Sequence, residues 1–225
     1  YLMKMPKRDF SFLFIKYKAE IYLNNLSLFK GMKNSEKRAV VFLGIFIALV
    51  VFLSFYFDWQ IAQLVSSIRT PALTDFFTAI TFVGPVLVFL FLTLLFMKKK
   101  RRRWLLPLWM TLALSAILSF LLKIAIQRQR PFQLGLVSIA EGLQKAAYSS
   151  WDFSFPSSHA VLVFATVPFL SKEFPKLKYL WIAFACLVAL SRVYLGLHFL
   201  SDVILGAIIG YLIGFVILTK WEEKF

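Results

Sequence analysis

The sequence predicts an all-α, polytopic membrane protein with six transmembrane helices and an amino-terminal interfacial amphipathic segment. The first reason is composition: 60% of the 225 residues are hydrophobic and the mean hydropathy is +0.76, values outside the range of ordinary water-soluble domains. The second reason is that apolar stretches of about 18 to 20 residues, the length that crosses a bilayer, recur along the chain. The third is that basic residues concentrate in alternate connections between these stretches, the pattern of the positive-inside rule.

Residues 1–38 are predicted to form a basic amphipathic segment of their own. Lysine and arginine alternate there with phenylalanine, leucine and tyrosine, over a stretch too short to span a membrane. A segment of this kind lies in the plane of the inner interface. We therefore divide the chain into this segment and a six-helix transmembrane domain over 39–225. No cleavable signal peptide is expected, because no small-residue cleavage site follows the first long apolar run.

The six predicted spans form two chemically different halves. The first three contain no charged residue and cover 39–57, 76–97 and 104–122. The last three, at 153–170, 179–200 and 201–219, carry ionisable residues close to their ends: His159, Arg192, His198 and Asp202. Ionisable groups at membrane depth are costly, so we interpret this clustering as a functional site rather than as side chains that reach toward the interface.

The distribution of basic residues predicts the orientation. Twenty of the 26 lysines and arginines lie before the first span, in 98–103, in 171–178 or after the last span. By the positive-inside rule these regions and both termini are cytoplasmic, so the loops at the other ends of the spans face outward. The net charge of +15 is thereby explained without nucleic acid, and no nucleic-acid partner is expected.

The first polar segment is Lys123 to Pro131, at the end of the third predicted span. Lys123 and Arg130 are seven residues apart, about two helical turns, and on a helix they would lie near the same face as two arms of an anion clamp. Pro131 is expected to end that helix. The alternative for this segment is interfacial anchoring.

The second segment reads Phe155-Pro-Ser-Ser-His159, at the start of the fourth predicted span. Ser157 and Ser158 precede a helix whose first backbone N–H groups are free, which makes a ready anion site. A serine near a helix start can also be an ordinary cap.

The third segment runs from Ser191 to Asp202 and joins the fifth predicted span to the sixth. On a helix, Asp202 lies one turn after His198, where its carboxylate can hold one imidazole nitrogen and leave the other free to attack. Arg192 adds a permanently charged fork for phosphate oxygens. A lone histidine here would more often be structural, but both histidines of the chain fall in these segments.

The three segments together supply cations, a helix-start anion site, a nucleophile with an orienting carboxylate and a second histidine as acid. Phosphoryl transfer requires this set of groups. The sequence therefore predicts a phosphoryl-transfer site at the outer end of the spans.

The segments resemble the three signature motifs of the type 2 phosphatidic acid phosphatase superfamily, membrane lipid phosphatases that share a site with vanadium haloperoxidases. The family patterns are Lys-x6-Arg-Pro, Pro-Ser-Gly-His and Ser-Arg-x5-His-x3-Asp, and spacing and order match throughout 123–202. Ser158 stands where the family usually has glycine. Serine adds a Cβ but keeps the N–H, so altered geometry rather than lost activity is expected.

The resemblance implies a role for each matched residue. His198 corresponds to the nucleophile that forms a phosphohistidine, Asp202 to its orienting partner and His159 to the general acid. The corresponding phosphate-binding residues are Lys123, Arg130, Ser157, Ser158 and Arg192. The family implies no metal and no other cofactor, and the motif cations already neutralise the phosphate.

The expected function is hydrolysis of a lipid monophosphate or pyrophosphate, with the substrate's tails in the bilayer. A polyprenyl pyrophosphate is favoured, followed by phosphatidylglycerol phosphate or phosphatidic acid, and a lipid A phosphate is also compatible. Transfer of the phosphoryl group to another lipid or sugar is the alternative that the same residues allow. A transporter is disfavoured because the charges lie at one end of the spans. The loop 127–155 is expected to act either as a lid or as an interfacial loop.

Overall fold

The computed structural model describes residues 32–86, 90, 92–97, 101–139 and 153–224, and in these parts every regular element is helical. The α-helices are α1 (Asn34–Ser67), α2 (Pro71–Val86), α3 (Leu92–Met97), α4 (Leu105–Ile126), α5 (Ser158–Glu173), α6 (Lys178–Tyr194) and α7 (Leu200–Lys224). Short 3-10 turns, Arg102–Trp104 and Pro175–Leu177, lead into α4 and α6.

Several predictions fall outside the described residues. They concern most of the amino-terminal amphipathic segment, the start of the basic run at 98–103 and the central part of the loop 127–155. The chain divides by its contacts into two units, Tyr1–Val50 and Val51–Phe225. The described part of the first unit is 32–50. At the start of α1, the Lys33 backbone N–H donates a hydrogen bond to Glu36 Oε2 (2.8 Å). The predicted boundary at residue 38 stays a prediction.

Four helical segments are long and apolar enough to cross a membrane: Asn34–Ser67, Arg102–Ile126, Pro175–Tyr194 and Leu200–Lys224. The protein is therefore a multi-pass, all-helical membrane protein over its described residues. The other two predicted spans correspond to shorter helices. The span predicted at 76–97 overlaps α2 and α3, and the span at 153–170 overlaps α5; α2 and α5 have 16 residues each. Most of α5 is buried among other helices, so a short helix suffices there.

Two predicted boundaries in the second half were wrong. The helix predicted from residue 153 begins at Ser158, because Pro156 precedes it and Ser157 is extended (φ −71°, ψ 107°) at the N-cap. The helix predicted to continue to residue 200 ends at Tyr194. Gly196 has φ +75°, a left-handed conformation that interrupts a helix and that glycine adopts without a steric penalty.

Helix α1 continues ten residues beyond the predicted end at residue 57. The prediction stopped there because Asp58 carries a charge. In the structure Asp58 is 1% exposed and forms an ion pair with Arg128 (2.7 Å). A buried carboxylate is tolerated when it is paired and hydrogen-bonded, so the helix can include it.

Helices α5 and α7 pack closely because α7 has glycine at three successive turns, Gly206, Gly210 and Gly214. A Cβ on Gly210 would overlap the Val161 carbonyl, and one on Gly206 would lie 3.0 Å from the Ser157 carbonyl oxygen. Small residues at this spacing let two helix backbones approach each other in a membrane. The close packing brings the starts of α5 and α7 together, and the Ser157 N–H donates to the Asp202 carbonyl (3.1 Å).

The opposite end of the bundle is closed by a polar cluster and a hydrophobic core. Glu173 accepts hydrogen bonds from Arg101 Nε (2.7 Å) and Trp104 Nε1 (2.9 Å). A core built by α3 to α7 lies beside it, with Phe96, Leu108 and Phe169 almost fully buried. This end is therefore held by polar contacts and apolar packing, and the predicted site residues lie at the other end.

Candidate active site

His198 lies in the loop between α6 and α7 and is 2% exposed. Its Nε2 is 3.3 Å from Arg130 Nη1. Its Nδ1 is 3.5 Å from Ser154 Oγ and 3.7 Å from Asp202 Oδ2. Arginine has only donors, so the Arg130 contact requires Nε2 to accept and places the imidazole proton on Nδ1. Nε2 is therefore the unprotonated nitrogen, and its lone pair faces Arg130.

The backbone around His198 is fixed by the turn that ends α6. The Arg192 carbonyl accepts from the N–H groups of both Leu197 (3.1 Å) and His198 (3.2 Å). Arg69 reaches this turn from the loop between α1 and α2 and donates from Nε to the Tyr194 carbonyl (2.8 Å). The imidazole thus projects from a short, doubly anchored loop.

Asp202 is fully buried in the first turn of α7. Its Oδ2 accepts from the Phe199 N–H (2.9 Å) and the Ser154 hydroxyl (2.5 Å). Its Oδ1 accepts from Arg128 (2.6 Å). His198 and Asp202 do not share a helix, because the helix that carries Asp202 starts at Leu200. The two side chains face each other because Asp202 folds back to cap its own helix, as a carboxylate at the third helical position does.

Lys123 and Arg130 are also held by different elements, contrary to the prediction of one continuous helix. Helix α4 ends at Ile126, five residues before the expected stop at Pro131, because Gln127 takes a left-handed conformation (φ 51°). Lys123 therefore projects from the last turn of α4 and donates to the Phe153 carbonyl. Arg130 is 3% exposed and donates to the Leu197 carbonyl at 2.7 Å.

Arg192 projects from the last turn of α6 and is 6% exposed. Its Nη1 donates to the Thr81 hydroxyl of α2 at 2.6 Å. Because Thr81 is itself 2% exposed, this contact orients the guanidinium inside the helix bundle. Thr81 was not among the predicted residues.

The two serines at the start of α5 differ in their surroundings. Ser157 is fully buried, and its hydroxyl makes no hydrogen bond to the described residues. The Ser158 hydroxyl lies 2.8 Å from the Ser119 hydroxyl of α4. The side chain that replaces the family's glycine is thus bonded to a neighbouring helix, and the N–H groups at the positive end of α5 remain available to an anion.

His159 is the second residue of α5 and is partly buried. The pKa of His198, which lies outside the helices, is well below its ordinary value of 6.5 because the imidazole is buried and because Arg130, Arg192 and Lys123 place positive charge near it. The same three cations lie close enough to His159 to interact with it electrostatically. Residues of all three sequence segments therefore lie near one another, with a neutral His198 among them.

Besides Thr81, three residues that contact Asp202 or its neighbours escaped the sequence-based prediction: Asp58, Arg128 and Ser154. Of these residues, only Arg128 could have been suspected from the sequence, since it is a second arginine two residues before Arg130. Asp58 is far away in sequence, and Ser154 precedes the Pro-Ser-Ser segment without belonging to it. Their partners are set by the packing of α1 and of the 153–157 segment against the start of α7.

Comparison with known proteins extends the match beyond the motifs. The sequence model of the PAP2 superfamily matches residues 104–225. Phosphatidylglycerophosphatase B of Bacillus subtilis (strain 168) is 31% identical over 184 residues, 74% of this chain and 84% of that protein. Lipid A 1-phosphatase of Rhizobium johnstonii is 36% identical over 106 residues, 46% of this chain and 42% of that protein.

A solved structure shows the same arrangement of helices. The crystal structure of a transmembrane PAP2-type phosphatidylglycerolphosphate phosphatase from Bacillus subtilis superposes with a TM-score of 0.61 at 27% identity. The superposition covers 81% of this chain and 96% of that one.

Proposed function

The chain belongs to the PAP2 superfamily of membrane lipid phosphatases, and we propose that it hydrolyses its lipid phosphate through a phosphohistidine on His198. The observation that carries this proposal is the contact of Arg130 Nη1 with His198 Nε2 at 3.3 Å. The contact supports the proposal because the unprotonated nitrogen of a buried, neutral imidazole lies beside a cation that we assign to phosphate binding. A nucleophile in phosphoryl transfer needs an unprotonated nitrogen with positive charge nearby.

In the first step the Nε2 lone pair forms an N–P bond while the bond from phosphorus to the leaving oxygen breaks. His159 donates a proton to that oxygen. Asp202 and Ser154 hold the Nδ1–H side of the ring and stabilise the positive charge that develops on it. In the second step water attacks phosphorus, His159 accepts the water proton, and the N–P electron pair returns to Nε2 as inorganic phosphate leaves.

The phosphate pocket in this proposal is formed by Lys123, Arg130 and Arg192 with the start of α5. Charge-assisted hydrogen bonds from these cations offset the charge spread over the phosphoryl oxygens in the transition state. The Ser157 hydroxyl, buried and without a bond to the described residues, supplies a further donor. The cations fill the role that Mg²⁺ has in many other phosphoryl transfers, so activity is expected to persist in EDTA.

The proposed orientation places the pocket on the outer face. Lys123 and Arg192 lie in the last turns of α4 and α6, whereas the arginines at 101–103 and Lys172 lie at the opposite ends of these helices and their neighbours. Under the positive-inside rule the arginine-rich end is cytoplasmic. An accessibility assay on single cysteines at Leu134 and Lys176 tests this, with outward labelling expected only at the former.

Two lipid substrates are favoured by different observations. The sequence favours a polyprenyl pyrophosphate, because of the outward site and the short chain. The Bacillus subtilis relative, which matches 74% of the chain, is named a phosphatidylglycerophosphatase, and this name favours phosphatidylglycerol phosphate. Both present a terminal phosphate on an apolar body, and the same N–P chemistry cleaves both.

The experiment that tests the function measures phosphate release by purified protein in detergent with EDTA. Undecaprenyl pyrophosphate, phosphatidylglycerol phosphate and phosphatidic acid are compared, each with the wild type and His198→Ala. Metal-independent release that disappears in the variant supports the proposal, and the ratio of rates ranks the substrates. Equal release by both proteins would remove His198 as the nucleophile. Label that appears in a second lipid instead of in water would assign phosphotransfer.

A further inference from the structure

Asp58 and Arg128 are a buried and a half-buried charged residue that the mechanism above does not use. Asp58 lies on α1 and is 1% exposed, and the Arg128 side chain is 21% exposed. Arg128 donates from Nη1 to Asp202 Oδ1 (2.6 Å) and from Nη2 to Asp58 Oδ2 (2.7 Å). One guanidinium therefore bridges two buried carboxylates, and one of these is the partner of His198.

The same two residues fix the start of α7. Asp58 Oδ1 accepts from the Ser201 N–H (2.9 Å), and its Oδ2 accepts from the Ser201 hydroxyl. Arg128 also donates to Ser201 Oγ (2.7 Å), and its guanidinium lies over the Phe199 ring, 4.2 Å from the centroid. Planar hydrogen-bonded and stacked contacts of this kind are specific to arginine and cannot be reproduced by lysine.

The bridge determines which oxygen of Asp202 faces the imidazole. Oδ1 is engaged by Arg128, while Oδ2 receives Ser154 and the Phe199 N–H and lies 3.7 Å from His198 Nδ1. Rotation of the carboxylate would break charge-assisted hydrogen bonds on both oxygens. Such bonds are about twice as strong as neutral ones. The orientation of Asp202 is therefore set from the side away from His198.

We infer that Asp58 and Arg128 are positioning residues that act on His198 through Asp202, keeping the imidazole proton on Nδ1 and the lone pair on Nε2. This rests on the proposed roles of His198 and Asp202. Arg128 and Arg130 then act on opposite sides of the imidazole, although they are only two residues apart in the sequence. Arg130 contacts the nucleophilic nitrogen directly, whereas Arg128 contacts Asp202 through the oxygen that lies away from the imidazole.

The chain has only two histidines, so nitrogen NMR on ¹⁵N-histidine-labelled protein in detergent can read the His198 tautomer directly. The His159→Gln variant assigns the two sets of signals. Wild-type His198 is expected as the Nδ1–H tautomer. Arg128→Met should produce a mixture of tautomers, and Asp58→Asn a smaller shift, because Arg128 still reaches Asp202. The matched control is Arg101→Met, which removes an arginine–carboxylate pair at the other end of the bundle.

Kinetics provide the second readout. With the best lipid substrate, Arg128→Met is expected to lower kcat about tenfold or more and to change KM less than about twofold, because it removes no phosphate contact. In an Asp202→Asn background the same substitution should cost little, since the two residues act as a unit. A merely structural arginine would instead give costs that add.

An unchanged His198 tautomer in Arg128→Met would overturn the inference whatever the activity shows, and so would additive kinetic costs. If the wild type releases no phosphate from any lipid but the tautomer still shifts, the inference stands and the proposed function fails. If Arg128→Met does not fold, Arg128→Lys replaces it. Lysine keeps the charge but loses the bridge, so the same tautomer mixture is expected.

Discussion

The hydroxyl of Ser158 lies 2.8 Å from the hydroxyl of Ser119, and this contact joins the start of α5 to the middle of α4. The motif spacing predicts no partner for Ser158 and does not show how a serine is accommodated in place of the family's glycine. In the structure the added side chain points to α4. The Cβ is therefore accommodated by a polar contact between helices.

The hydrogen bond between Ser119 and Ser158 is predicted to stabilise the fold without taking part in the reaction. Ser119→Ala leaves the Ser158 hydroxyl without its partner and should lower the free energy of unfolding by about 1 kcal/mol. Ser158→Gly removes the hydroxyl together with its need for a partner, so its kcat should stay within about threefold of the wild type. Thermal unfolding in detergent and phosphate release measure the two effects. A large kcat loss in Ser158→Gly would mean that the serine itself takes part in the reaction.

Gly210 is predicted to be intolerant of alanine. A Cβ there would overlap the Val161 carbonyl, so α5 and α7 must separate, at a cost of about 1 to 3 kcal/mol. Separation also disturbs the contact between Ser157 and Asp202, and activity should fall with stability. The control is Gly44→Ala, where nothing lies within 4 Å and a helical alanine should stabilise by up to about 1 kcal/mol. Similar melting temperatures for the two variants would contradict the close packing.

The role of His159 as general acid predicts a dependence on the leaving group. His159→Ala should reduce hydrolysis of a lipid phosphate about a hundredfold or more, because the alkoxide leaves without a proton. Hydrolysis of p-nitrophenyl phosphate should be reduced far less, because nitrophenolate needs no proton to leave. Rates with both substrates in one enzyme preparation give the comparison. Equal losses with the two substrates would indicate that His159 binds phosphate and does not donate a proton.

Thr81 is predicted to affect substrate binding through Arg192. Thr81→Val preserves the shape of the side chain but removes the acceptor for Arg192 Nη1. The loss of one hydrogen bond to a charged group, about 1.5 to 3 kcal/mol, should raise KM or lower kcat/KM by roughly tenfold or more. Thr78→Val, one turn away on α2, is the matched control. An unchanged kcat/KM in Thr81→Val would show that Arg192 is oriented by other contacts.

The buried position of His198 predicts its response to pH. Its pKa is lowered from 6.5 by burial and by the neighbouring cations, so the imidazole should stay neutral from about pH 8 to about pH 6. The unfolded chain takes up a proton near pH 6.5, so the contribution of His198 to stability is present above that pH and is lost as pH falls below it. A ¹⁵N titration of the labelled protein measures the charge directly. Protonation of His198 near pH 6.5 would contradict the expected burial.

Much of the site could be predicted because motif residues are local in sequence. The segments around Lys123, Ser157 and His198 have fixed spacings, and a short spacing limits where side chains can go. The helix boundaries could not be read in the same way. Hydropathy reports only the length of an apolar stretch. The predicted fifth span therefore ran through the loop that carries His198, and the predicted first span stopped before the charged Asp58.

The sequence by itself determined the all-helical membrane character, the family and the candidate site residues, because apolar length, the placement of charge and motif spacing are properties of the chain. Only the tertiary structure decided how these residues are held. Asp58 meets Arg128, Thr81 meets Arg192 and Ser119 meets Ser158 across distances of 39 to 111 residues. Such partners are chosen by which helix faces pack together, as the glycines of α7 show for its close packing against α5.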